Sequence, residues 1–149
     1  MNQIIESIQV QGFHKSPEIL QEYNKTNINN NDWLQYVTIN PHHYHRSKVY
    51  ADDTFEIFVI TWNMKQQSKI HDHSDNGCYM LMLQGKLVEE IYDSNDIVSP
   101  TKISCFEEGF VGYIDNTMGY HRIQNLSDTD IAVSLHVYSP PNHNAKLLG

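Results

Sequence analysis

From about Val49 onward the chain breaks into short β-rich runs separated by turn signals, and this texture limits its fold more than any other feature. The runs cover 55–62, 78–84, 86–92, 102–106, 110–114, 121–125 and 131–138, and they are rich in Val, Ile, Tyr, Phe and Trp. Such residues fit a pleated surface, whereas the intervening Gln84-Gly85, Glu108-Gly109, Asp115-Asn116 and Ser127-Asp128, together with 93–96, reverse the chain. Many short strands at close spacing predict an antiparallel sandwich or barrel and not an α/β sheet. The first forty residues read differently. Apolar residues recur at helical spacing over 3–10 and 17–24, Ser16-Pro17 is a helix start, and the polar run 24–31 is a break. A short helix is predicted over 32–37, capped by Asp32, with Trp33 and Tyr36 facing inward. The expected architecture is a single domain over 1–149. Short α-helices occupy 1–40, and a small antiparallel, jelly-roll-like β-barrel occupies 41–149.

A chain of 149 residues is long enough to bury a core without disulfides or metals as staples. No apolar run approaches the roughly 20 residues needed to cross a bilayer. The start, Met1 to Glu6, lacks the basic and apolar regions of a signal peptide. A cytoplasmic protein, monomeric and without a membrane partner, is the expectation. The formal charge of −8, with only 10 Lys and Arg, argues against nucleic acid and for small molecules as partners. Of the 2 cysteines, Cys105 lies in a strand-like run where a small buried hydrophobe is expected. In a reducing compartment Cys78 and Cys105 are expected to stay unpaired.

Ile70-His71-Asp72-His73 carries the chemical signal. Side chains alternate across a strand, so His71 and His73 share a face and could bind one metal if a third ligand came from elsewhere, His121 or His136. Imidazole serves zinc, copper, iron and nickel alike. Solvation of both rings is equally compatible with the pair taken alone. Asp75 has the same parity and, with His73 and His121, would give a rival set of two histidines and a carboxylate. Asp72 projects from the opposite face. In 134–138 the same alternation places Ser134, His136 and Tyr138 in one row.

Taken together, His71-x-His73, Cys78, Gly85 and His121-x-x-x-Asn125 resemble the two motifs of the cupin superfamily, except that Cys78 stands where a glutamate is common. That departure, with Trp62, Ser68, Tyr120-His121-Arg122 and the stretch Ala132 to Pro141, resembles the cysteine dioxygenase family. The resemblance implies a small β-barrel with non-haem Fe(II) held by His71, His73 and His121. It further implies oxidation of L-cysteine with O2 to cysteine sulfinic acid. Arg46 and Tyr44 would hold the substrate carboxylate, and the planar, always charged guanidinium suits that task. Ser134 and His136 would position Tyr138, itself joined to Cys78 by a thioether cross-link. Trp62 would close the site or pack in the core. The bond before Pro140 would be cis, and a covering tail seen in animal members would be missing. His42, His43 and His45 read as polar loop residues. Other thiols, 3-mercaptopropionate or cysteamine, remain alternative substrates, and a non-catalytic metal- or ligand-binding cupin remains an alternative function.

Overall fold

Near-continuous apolar runs at Glu56–Trp62 and Ala132–Tyr138 call for cover on both faces, since alternate side chains of a strand point to opposite sides. The computed structural model, which describes residues 1–26, 31–93 and 95–148, provides it. Among the described residues ten strands form two antiparallel sheets. They are β1 (His45–Ala51), β2 (Glu56–Trp62), β3 (Ile70–His71), β4 (Cys78–Gln84) and β5 (Leu87–Tyr92), followed by β6 (Lys102–Phe106), β7 (Val111–Ile114), β8 (Tyr120–Gln124), β9 (Ala132–Tyr138) and β10 (Leu147–Leu148). One sheet runs β1-β2-β9-β4-β7 and the other β10-β3-β8-β5-β6. The helices α1 (Asn2–Gln11) and α2 (Ser16–Thr26) cover the first sheet. Their Ile4, Ile8, Leu20 and Tyr23 pack with Val59, Leu81, Leu135 and Val137. The opposite parity, Phe58, Ile60, Trp62, Met80 and Met82, meets Leu87, Phe106 and Ile123 of the second sheet.

This is the cupin-type double-stranded architecture expected, with one correction. Among the described residues no strand pairing joins the two sheets, so the barrel is not closed by hydrogen bonds. The edge strands β6 and β7 flank an open seam, as their shared cavity shows.

Three local expectations also change. Asp32 does not cap the 3-10 helix Asp32–Tyr36, whose cap position is Asn31. Its carboxylate instead binds the Met1 amino group and the Tyr23 hydroxyl, tying the chain start to the core. Trp33 is buried, and Tyr36 packs half-buried against the same cluster. Cys105 is exposed, because β6 is an edge strand with few neighbours outside it. His45 belongs to β1 and not to a loop; polar His45-Arg46-Ser47-Lys48 hides an edge strand from a hydrophobicity pattern. The predicted break at 24–31 and turn at 93–96 lie partly outside the described residues.

Candidate active site

Register brings the histidines together. His71 and His121 are direct partners across β3 and β8. The strand ends at His71, so His73 is not its neighbour by strand alternation. Asn116, just after β7, positions His73 instead, accepting from its backbone N at 2.9 Å and donating to its carbonyl at 3.1 Å. Gly119 sets the approach to β8. It adopts φ 111, and a Cβ there would lie 2.5 Å from the Tyr92 carbonyl oxygen. Ring centroids are 4.6 Å apart for His71 and His121, 4.4 Å for His73 and His121, and 6.0 Å for His71 and His73.

The outer nitrogens determine what the inner ones offer. Nδ1 of His71 lies 2.7 Å from the Lys69 carbonyl, Nδ1 of His73 3.2 Å from Asn116 Oδ1, and Nδ1 of His121 2.8 Å from Glu89 Oε2. These oxygens only accept, so each Nδ1 carries the hydrogen and each Nε2 keeps a lone pair. His73 Nε2 is buried without a partner. Nε2 of His121 and His71 face each other at 3.0 Å. Two ligands at right angles around an ion, with bonds of about 2.1 Å, are separated by about the same distance. Among the described residues no group of three or more His, Cys, Asp or Glu side chains is spaced to hold a metal ion as it stands. The donor set nevertheless fits a divalent metal: three neutral imidazoles with lone pairs inward and outer hydrogens anchored.

Glu89 was not foreseen. Its signal was its place between Leu87 and Ile91 on the inward parity of β5, where a carboxylate needs a reason to be. Burial pushes its carboxyl up to about 6. Asn116 left no comparable trace in the sequence. Asp75 is exposed and does not line the cavity, so the rival carboxylate set is not assembled. Asp72 does line the cavity, but its carboxylate is engaged, pairing with His143 at 2.9 Å and accepting from the Lys146 backbone N at 2.7 Å. His143, Asn144, Ala145 and Leu147 also line the cavity.

The histidines open into a cavity of about 520 Å³ that also takes in Tyr44, Arg46, Cys78, His136 and Tyr138. The Arg46 Cζ lies 4.2 Å from the Phe58 ring centre and 5.6 Å from that of Tyr138. Arg46 makes no ion pair among the described residues. Tyr44 stacks on Trp62 at 4.5 Å. Buried Trp62 donates to Ser134 Oγ at 3.0 Å, and Ser134 meets His136 Nε2 at 2.7 Å. An indole N–H can only donate, so the enclosed serine accepts from it and donates to His136. His136 Nδ1–H is then directed at Tyr138 Oη, 3.4 Å away, and Cys78 Sγ, 3.6 Å away. His136 therefore does not join the other three rings. Cys78 and Tyr138 are cross-strand partners on β4 and β9. Burial raises both, and each stays protonated at neutral pH. The Ser139-Pro140 peptide is cis, and Ser139 Oγ donates to the Thr54 carbonyl at 2.7 Å.

Buried histidines make the fold acid-sensitive. Burial holds His73 and His136 at about 3, against about 6.5 unfolded. Between those values the unfolded chain binds more protons, so stability falls as pH drops, by about 1.4 kcal/mol per unit for each histidine. Glu89 acts oppositely, since its raised carboxyl favours the folded state as pH falls from about 6 toward 4.5. Denaturant unfolding of metal-free protein should give a stability at pH 5 at least about 2 kcal/mol below that at pH 7. Equal stability at the two pH values would contradict buried neutral rings.

The fold and the inward-facing histidines define a cupin. Solved structures agree on the fold. A protein with a double-stranded β-helix domain from Klebsiella pneumoniae superposes with a TM-score of 0.63 at 16% identity, covering 77% of this chain and 92% of that one. A cupin superfamily protein from Desulfitobacterium hafniense gives 0.56 at 12% identity, covering 69% and 83%. The chain belongs to the cysteine dioxygenase type I family, whose model matches residues 3–147. Cysteine dioxygenase type 1 of Danio rerio is 35% identical over 119 residues, 76% of this chain and 59% of that protein. The chain thus spans less than two thirds of the length of that relative. Among the described residues no helix is long and apolar enough to cross a membrane.

Proposed function

We propose that the chain is a thiol dioxygenase that oxidises L-cysteine with dioxygen to cysteine sulfinic acid, on Fe(II) held by His71, His73 and His121. The observation that carries this reading is a single cavity lined by three neutral imidazoles and by a guanidinium that has no carboxylate partner among the described residues. Ferrous iron there would supply a seat for a thiolate and the electron transfer to dioxygen that zinc lacks. Arg46 meets the substrate carboxylate with its fork, and Tyr44 donates its hydroxyl to the same group. Tyr138, neutral because buried, offers a phenolic hydrogen to the reacting end of the substrate. The Trp62-Ser134-His136 row keeps that phenol in place, so its orientation is settled before substrate arrives. The chain works as one cytoplasmic domain over 1–149 and as a monomer on a small thiol.

Oxygen uptake by iron-loaded protein tests the reading across cysteine, cysteamine and 3-mercaptopropionate. Cysteine should be consumed with one equivalent of dioxygen. Turnover of another thiol alone would reject the substrate, and no turnover of any would reject the enzyme.

The pairing of Cys78 with Tyr138 supports a thioether between the sulfur and the ring carbon beside the hydroxyl. Its formation breaks the S–H and ring C–H bonds and releases two protons and two electrons, which dioxygen accepts to give hydrogen peroxide. Intact mass of turned-over protein should show a fraction lighter by two hydrogens, and Cys78→Ser should lack it.

A further inference from the structure

The seam between β6 and β7 is a second cavity, of about 250 Å³, and its inner wall is made by Cys78, His121 and His136, which also line the larger one. The two cavities therefore reach the same three side chains from different sides. We propose that the seam admits dioxygen to the site, apart from the mouth that admits the thiol. The inference rests on the dioxygenase reading given above. Met80, Ile91 and Ile114 line the seam, while Phe110 and Met118, 40% and 44% exposed, stand at its rim. Phe106 and Phe110 stack at 4.4 Å, with rings only 10° from parallel, and form one end of it.

Two features select the occupant. Dioxygen is small and apolar, so such a lining accepts it without loss of hydration. Cysteine carries charges that would be left unpaired there, at a cost of several kcal/mol. The polar groups present do not relieve that cost: Glu89 is engaged with His121, and Lys102 is exposed. Substrate held by Arg46 would occupy part of the wider cavity, and the seam offers a gas a path that does not pass it. Among the described residues no strand pairing closes β6 onto β7, which leaves that path in the architecture itself.

Ser104 lines the seam from the edge strand β6 and is where a plug can be placed. Crystals under xenon should show the gas in the seam of the unaltered protein and none in Ser104→Trp. In iron-loaded Ser104→Trp the KM for dioxygen should rise several-fold, with the KM for cysteine and the kcat at saturating dioxygen unchanged. Ser104→Leu, a smaller plug, should give a lesser rise and serves if the tryptophan variant does not fold. An empty seam under xenon, or an unaltered KM for dioxygen in the folded variants, overturns the proposal. Absence of thiol-dependent uptake in the unaltered protein overturns the enzyme reading instead, and xenon then still decides whether the seam takes an apolar gas.

Discussion

His73→Ala should abolish stoichiometric ferrous iron and thiol-dependent oxygen uptake while leaving the metal-free fold within about 1 kcal/mol of the parent. A buried ring removed from a core ordinarily costs more, through lost contacts and the space left behind. His73 differs because its Nε2 is buried with no partner, an arrangement that itself costs about 1–3 kcal/mol in the metal-free protein. Deleting it relieves that penalty and offsets much of the lost packing. Asn116 keeps its two contacts with the backbone of residue 73 in the variant. Glu89→Gln makes the graded counterpart, since it keeps the shape behind His121 and removes the charge. Loss of such an outer partner typically weakens metal binding about ten- to a hundredfold. Iron titration with parallel denaturant unfolding checks both variants. A His73→Ala protein that is strongly destabilised yet binds iron would make the ring a packing element.

What could be read in the sequence followed burial. β2, β4 and β9 were legible because their apolar runs are long, and both faces of β2 and β9 are covered in the fold. β1 escaped because its exposed positions alternate with half-buried ones along a polar edge. β10 escaped because two residues carry no period at all, and β3, expected to run through His73, ends at His71. The open seam was also invisible, since strand patterning specifies sheets and not whether their edges meet. In the site, the histidines and the 134–138 row stood out by type and spacing. Glu89 and Asn116 did not, because a lone carboxylate or amide reads as surface until the register sets it behind a ring. The direction of the hydrogens was likewise out of reach. It follows from which acceptors lie against each Nδ1, a matter of contacts between elements distant along the chain.

Arg46→Ala should raise the KM for cysteine by roughly tenfold to a hundredfold and leave kcat nearly unchanged. The guanidinium has no ion partner among the described residues; it rests over Phe58 at 4.2 Å and hydrogen-bonds the Tyr138 side chain, so a substrate carboxylate would be its first anionic partner. Hydrogen bonds to a charged group contribute about 1.5–3 kcal/mol, which sets that range. The contact with Phe58 is worth only about 0.5–1 kcal/mol at an exposed site, so the variant's fold is barely disturbed. Cysteamine has no carboxylate and provides the internal control: its KM should not move. Arg46→Lys should recover part of the loss, because charge returns without the planar fork. These outcomes separate carboxylate recognition from general electrostatic attraction. A purely electrostatic role would let lysine restore the KM fully, and a structural role would impair cysteine and cysteamine alike. An unchanged KM for cysteine would remove Arg46 from substrate binding and leave Lys69 as the other cation that lines the cavity.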